Sequence, residues 1–355
     1  MKTTIVCLAL LFTVSNTILA AGGSVVVPQG TGDITNFPPG LTNVVAVSAG
    51  LNDALALRDD GTVGAWGAND NGVTNVPSNV TNVVAISSGW LYHMVLKGDG
   101  TVETWGNATA QVPPGLSNIV AIAAGGHQFC LALRSNRTVF GWGSNGAGQT
   151  NVPPDATNVI AVAAGLDHCV VLRGDGTVTA WGDNSFGACD VPPNLTNVVA
   201  ISAGWSQSLA LRANGTVVGW GNNVANLSTN LTNVVVMAAG WDSGQDFILH
   251  DGSMTNYGLS SAIAAARGNF YTVAVIAPGR PAANTMLLAN KSWTNGHFDG
   301  SVSTCYGRVY SLDYRDHLTD TNWSYFGLSA GNGGILQLED STATIPQRFY
   351  RVTRW

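Results

Sequence analysis

Apolar residues along this chain fall into short runs of two kinds that alternate in a fixed order. A near-continuous run, N-V-V-A-x-S/A-A-G, is followed by three to five variable residues, then by L-A-L-R, a two-residue turn, T-V-x-x-W-G and a Pro-bearing loop. In the first copy the runs are Val44 to Val47, Leu55 to Arg58 and Thr62 to Trp66. Their β-branched enrichment and period of two predict strands rather than helices. Asp60-Gly61, Asp99-Gly100, Asp175-Gly176, Asn214-Gly215 and Asp251-Gly252 separate the second and third runs and supply the positive φ of a tight hairpin. The third copy carries Asn136-Arg137 instead, which is expected to strain the turn or change its type.

The unit returns about every 38 residues from Gly23 to roughly Pro281, seven times in all. Its marker is Trp66-Gly67, Trp105-Gly106, Trp142-Gly143, Trp181-Gly182 and Trp220-Gly221, weakening to Tyr257-Gly258 and Gln29-Gly30. A period of this size means units that stack because none buries its apolar face alone. Gly23 to Gly30 matches only the third run, and Ala262 to Val275 only the first two. The N-terminal strand is therefore expected to complete the last unit and close a ring. The repeated tryptophan is expected to pack between neighbouring units.

The repeat fails from about Asn284. Alternation in Val309 to Tyr314, Ile335 to Leu338 and Arg348 to Val352 predicts a small β module there. The expected fold is all-β: a seven-bladed β-propeller with short three-stranded blades over 22–283, plus a small C-terminal β-sandwich-like domain over 284–355. Residues 1–21 read as a secretory signal, with Lys2, the apolar run Ile5 to Val14 and the small-residue exit Leu19-Ala20-Ala21. A secreted, periplasmic or cell-surface location follows as the expectation, with no membrane span in the mature chain.

Charged residues make up 10% of the chain and the net charge is −6, so it offers no basic stripe for a nucleic acid. Cys130 and Cys169 share one column of adjacent repeats and read as small buried side chains. No cysteine or histidine pair has zinc spacing, and no cofactor is implied. The G-x-S-x-G, H-E-x-x-H, phosphate-loop and EF-hand motifs are all missing, which argues against an enzyme. An acid/base pair drawn from His127, His168, Asp53, Asp167 and Asp242 stays open. His93 reads as an inward, hydrogen-bonded strand residue, and His250 as a surface turn residue.

The units resemble the regulator of chromosome condensation repeat family, with its G-x-x-H-S-L-A-L and D-G-x-V-x-x-W-G phrases and its seven-bladed propellers. Their length, and phrases such as Trp181-Gly182-Asp183-Asn184 before Asp190-Val191-Pro192, are closer to the compact bacterial branch that includes a β-lactamase inhibitory propeller. The copies disagree most in the turn between the first and second strands, which a propeller gathers at one mouth of its channel. Partner-binding candidates there are Trp90, Tyr92, His127, Phe129, His168, Trp205, Trp241, Phe270 and Tyr271. Aromatic area with polar tips suits a protein hot spot. In the inhibitory relative the matching turns contact the enzyme, so the resemblance implies a protein partner. A glycan stacked on the same rings is the alternative, and the competing structural role is to plug the channel.

Overall fold

The computed structural model describes residues 24–29, 32–38, 41–107, 111–224, 231–242, 244–257, 259–260, 262–276, 289–294, 297–303, 309–315, 324–331, 335–340 and 349–354. Residues 1–21, expected to be a leader, and Gly258, Cys305 and His317 lie outside them.

Five complete blades follow the predicted runs. Blade 1 is Val44–Ala49, Asp53–Arg58 and Val63–Gly67; blade 2 is Val83–Ser88, Tyr92–Lys97 and Val102–Gly106. Blade 3 is Ile119–Ala124, Phe129–Arg134 and Val139–Gly143; blade 4 is Val159–Ala164, His168–Arg173 and Val178–Gly182; blade 5 is Val198–Ala203, Gln207–Arg212 and Val217–Gly221. Blade 6 pairs two strands, Val234–Ala239 and Gln245–Leu249. Blade 7 is Ala262–Arg267 and Thr272–Ile276, completed by Ser24–Gln29 in antiparallel pairing. The first strands of successive blades pack on one another all the way round, from blade 1 through blade 7 and back to blade 1. They form the inner wall of a closed ring.

Blades stack face to face, so the inner strands are covered on both sides: those of blades 1, 2, 4, 5 and 6 are buried throughout and that of blade 3 is buried except at Val120. That burial explains their near-continuous apolar sequence where a one-sided sheet would alternate. Each inner strand also carries a register shift near its start, between Val44 and Ala46 in blade 1 and at the matching place in the other six. A bulge of this kind adds local twist. The residue before most of these strands is an asparagine in the left-handed region, from Asn43 (φ 55°) to Asn233 (φ 60°). Asparagine tolerates that conformation better than most residues, which accounts for the first letter of the repeat.

At the hairpin turns Asp60 Oδ1 accepts from the Thr62 amide at 2.9 Å and its hydroxyl at 2.6 Å. Thr101, Thr138, Thr177, Thr216 and Ser253 repeat the hydroxyl bond. Those hydroxyl bonds hold Asp60, Asp99, Asp175 and Asp251 below the usual carboxylate range. Arg137 keeps the common turn by adopting φ 67°, with Nη1 donating to Asn158 Oδ1 at 2.7 Å. The turn is strained rather than changed. Left-handed geometry costs a residue with a Cβ about 1–2 kcal/mol, and the exposed hydrogen bond offsets part of that. Arg137→Gly is expected to stabilise the fold by about 1 kcal/mol, read as a higher denaturant midpoint at unchanged slope.

The Trp-Gly tryptophans do pack between blades, and Trp66, Trp105, Trp181 and Trp220 do so as donors. The indole N–H of Trp105 reaches the Val73 carbonyl at 2.8 Å, Trp181 reaches Gln149 at 3.0 Å and Trp220 reaches Ala188 at 2.8 Å. Every acceptor lies 32 residues upstream, in the loop that leaves the preceding blade. Trp66 does the same to Ile34 in the segment entering blade 1.

Beyond the ring are two three-stranded sheets. One holds Ala289–Thr294, His297–Ser303 and Ile335–Asp340; the other sets Val309–Arg315 between Ser324–Ala330 and Phe349–Arg354. The second sheet touches blades 5 and 6. Leu328 donates its amide to the Ala213 carbonyl at 2.9 Å and buries its side chain in the cluster holding Val199, Leu211 and Phe247. His250 is not a free surface turn residue: its Nε2 stands 3.1 Å from Oδ1 of buried Asp313. Ala213 and His250 follow the ends of middle strands, at the pole opposite the variable turns.

Candidate functional site

The turns between inner and middle strands meet at one mouth and are tied to each other through the backbone. Leu51 N donates to Trp90 O at 3.4 Å, His127 N to Leu166 O at 3.1 Å, Leu166 N to Trp205 O at 3.2 Å and Trp205 N to Gly240 O at 3.0 Å. Variable side chains are thus mounted on a fixed backbone rim.

The structure corrects five of the nine partner-binding candidates: Tyr92, Phe129, His168, Trp241 and Tyr271 are buried and present no surface to a partner. Four of them sit where the middle strand meets the turn and reach the following blade. Tyr92 donates its hydroxyl to Phe129 O at 2.6 Å, Tyr271 to Gly50 O at 3.1 Å, and His168 Nε2 meets Ser208 Oγ at 3.1 Å. Phe129 fills the same place with an apolar ring. Each ring lies over the glycine ending its own inner strand. A Cβ on Gly89, Gly125, Gly165 or Gly268 would come within 2.0–2.2 Å of Tyr92, Phe129, His168 or Tyr271, so the closing glycine of N-V-V-A-x-S/A-A-G is a matter of space.

Trp241 does something else. Projecting from the blade 6 turn, it donates its indole N–H to Ala49 O of blade 1 at 3.2 Å. A Cβ on Gly126 of blade 3 would lie 3.2 Å from its ring. One wholly buried side chain of blade 6 therefore reaches blades 1 and 3 and stoppers the channel at this mouth. Beside it Trp90 of blade 2 meets His127 of blade 3 edge-on at 4.9 Å and Trp205 of blade 5 at 5.9 Å.

Four candidates remain at the surface: Phe270 is 70% exposed, Trp205 37%, the His127 side chain 46%, and Trp90 is half-buried. His127 Nδ1 lies 2.6 Å from Asp167 Oδ2, and the other oxygen of Asp167 accepts from Gln149 Nε2 at 3.0 Å. Buried Gln149 is itself fixed by the Ala147 amide at 2.8 Å. The other acid/base candidates are used inside. Asp53 stands 3.0 Å from buried His93 Nε2, off hydrogen-bond geometry, while His93 Nδ1 meets Ser88 Oγ at 3.0 Å. Asp242 is clamped by Arg267, with Nε to Oδ1 at 2.9 Å and Nη2 to Oδ2 at 2.7 Å.

Burial pushes His168 down to about 4. Its folded value lies below the ordinary histidine value near 6.5, so the unfolded chain takes up the proton first and stability falls from about pH 6.5 toward pH 4. His168→Gln, which borrows the residue blade 5 uses at Gln207, is expected to remove about 2 kcal/mol of that loss at pH 5. Urea titrations of both proteins at pH 7.5 and pH 5 would show it.

Among the described residues Cys130, Cys169 and Cys189 are free thiols. Burial pushes Cys130 up to about 12 and Cys189 to about 11, so neither is primed for chemistry. No group of three or more metal-ligating side chains occurs among the described residues, nor any helix long and apolar enough to cross a membrane.

Where the ring closes, a pocket of about 360 Å³ opens on the mouth face between blades 7 and 1. It is lined by Asp33, Ile34, Asn52, Ala68, Asn269, Phe270 and Tyr271. Phe270 holds φ 60°, a rare conformation for a bulky residue.

Three segments of the chain, residues 119–149, 159–188 and 198–226, match the model of the Regulator of chromosome condensation (RCC1) repeat. They begin with the inner strands of blades 3, 4 and 5. No curated protein matches in sequence. Among solved structures, Prp20p from Saccharomyces cerevisiae superposes with a TM-score of 0.60 at 18% identity, over 73% of this chain and 92% of that one. Human WBSCR16 gives 0.53 at 16%, over 66% and 86%, and the CRINKLY WD40 ectodomain of the Arabidopsis thaliana receptor kinase ACR4 gives 0.50 at 19%, over 74% and 93%. Blade geometry and the solved neighbours identify the chain as a β-propeller, and blades 3, 4 and 5 carry segments similar to the regulator of chromosome condensation repeat.

Proposed function

We propose that this is an exported protein-binding propeller, whose partner is a secreted or periplasmic protein that it inhibits or scaffolds. The partner seats on the mouth face through Trp205, Phe270, His127 and the exposed part of Trp90. The observation that carries the reading is the exposure of Trp205, whose turn is bonded through the backbone to those of blades 4 and 6, and of Phe270, beside Tyr271, whose hydroxyl reaches Gly50 O of blade 1. Exposed aromatics on a rigid mount give contact area at low entropy cost, as at interface hot spots. Prp20p, reported for its binding to Gsp1p and histones and seen bound to Kap60, supports a protein as the class of partner. The leader-like residues 1–21 support export, and the sheet holding Asp313 and Leu328 meets blades 5 and 6 at the pole opposite the mouth, leaving the mouth free.

Immobilised mature chain and a Trp205→Ala/Phe270→Ala variant should be compared as bait on the native secreted fraction, with Arg134→Ala at the opposite pole as control. A partner retained by wild type and control but lost by the double variant supports the reading. A partner held equally by all three overturns it.

A further inference from the structure

The two poles of the ring differ sharply in charge. Middle strands end on Arg58, Lys97, Arg134, Arg173 and Arg212 at the pole away from the mouth, where Arg137 also lies. At the mouth pole the described loops 32–38, 68–77, 144–153, 183–192 and 222–224 contain no lysine or arginine. The described turn residues there have none either, apart from Arg267 at the end of its strand, which is spent on Asp242 and Asp246. Asp33, Asp70, Asp183 and Asp190 stand on this pole, and among the described residues no ion pair involves them. The face that carries the exposed aromatics is therefore negative.

The closing pocket concentrates this chemistry. Its polar lining is Asp33, Asn52 and Asn269, one carboxylate and two amides, and no cationic side chain contributes to it. Its apolar wall includes Phe270, an aromatic ring both exposed to water and held in the left-handed region. Each is unfavourable for the free protein, and strain kept at a pocket points to use. A ring face attracts a cation, a carboxylate neutralises it, and amide oxygens accept its N–H groups. An anion would meet only like charge.

We infer that this pocket receives a lysine or arginine side chain of the partner, making the partner's contact surface basic. The inference rests on the protein-binding reading of the mouth and names the chemistry of what binds there. Opposite charge also speeds encounter and gives binding a steep salt dependence.

The test needs no knowledge of the partner. The mature chain, labelled with 15N, is titrated with Nα-acetyl-arginine amide, with the uncharged citrulline amide of the same shape, and with cellobiose. Saturable shifts of the Asn52 and Phe270 amides are expected with the arginine probe, weakening with added salt, and at least about tenfold weaker affinity for the citrulline probe. Phe270→Ala should weaken arginine binding by about two- to fivefold. This variant removes a bulky residue from a left-handed site and keeps the fold. Asp33→Asn should also weaken binding and reduce its salt dependence. No response to arginine, equal affinity for the arginine and citrulline probes, a preference for cellobiose, or arginine binding undiminished in both variants would each overturn the inference. Trp205→Ala separates the two readings: it should lose the partner yet bind the arginine probe as wild type does.

Discussion

Arg267→Met is expected to destabilise the ring by about 3–5 kcal/mol. Arg267 ends the inner strand of blade 7, in the column where blades 1 to 5 carry Ala49, Ser88, Ala124, Ala164 and Ala203. Its guanidinium holds two carboxylates of blade 6: Asp242 in a bidentate pair, and buried Asp246 with both oxygens at 3.2 Å from Nη1. Nη1 also donates to Tyr257 at 2.8 Å, and Thr272 donates to Asp246 at 2.8 Å. Methionine keeps most of the volume but leaves both acids without a cation in a seam screened from water. Removing all three charges together, with Arg267→Met, Asp242→Asn and Asp246→Thr, is expected to recover most of the loss, because a buried network contributes little net stability against a neutral packing of similar volume. Thermal midpoints of the single, double and triple variants would separate the terms. A single variant as stable as wild type would show that the seam is wetter than its burial implies.

The second large effect is expected at Trp241. Truncation to alanine removes a wholly buried ring and the indole bond to Ala49, at a cost of about 3–5 kcal/mol. In a ring of this size that corresponds to a fall of roughly 6–20 °C in thermal midpoint. Trp241→Phe should lie between, since it restores ring volume without the donor. Partner capture below the lowered midpoint should survive, because Trp241 is a stopper and Trp205 and Phe270 stay in place. Loss of capture with unchanged thermal stability would assign Trp241 to the interface instead.

Most of the scaffold was readable from the residues. Asp-Gly turns, Trp-Gly endings and the unmatched halves at Ser24 and Ala262 led to strands, blades and closure because each reports a backbone need that few residues can meet. The mouth was harder. Variation among copies does not by itself mean freedom from packing, since Tyr92, His168 and Gln207 differ as much as surface residues do. They differ because a phenol, an imidazole and an amide can each donate across the same gap, as Gln207 Nε2 does to Gly244 O at 3.0 Å. Their fixed place, just after the variable turn and over a glycine with no room for a Cβ, was the signal that separated them from Trp205 and Phe270. The His250–Asp313 contact carried no such signal, since its partners lie 63 residues apart in modules of unlike pattern.

Closure by Ser24–Gln29 has a consequence for the order in which the ring forms. Ser24–Gln29 precedes every other strand of the ring and pairs with Thr272–Ile276, one of the last of the ring to be made. While the chain is being produced, blade 7 does not exist and the inner strand of blade 1 lacks the neighbour that covers one of its faces. Such distant pairing makes folding slow and leaves an unfinished arc with open edges. The same feature ties completion of the ring to the emergence of Thr272–Ile276: the ring closes in a late step, when blade 7 meets the first strand.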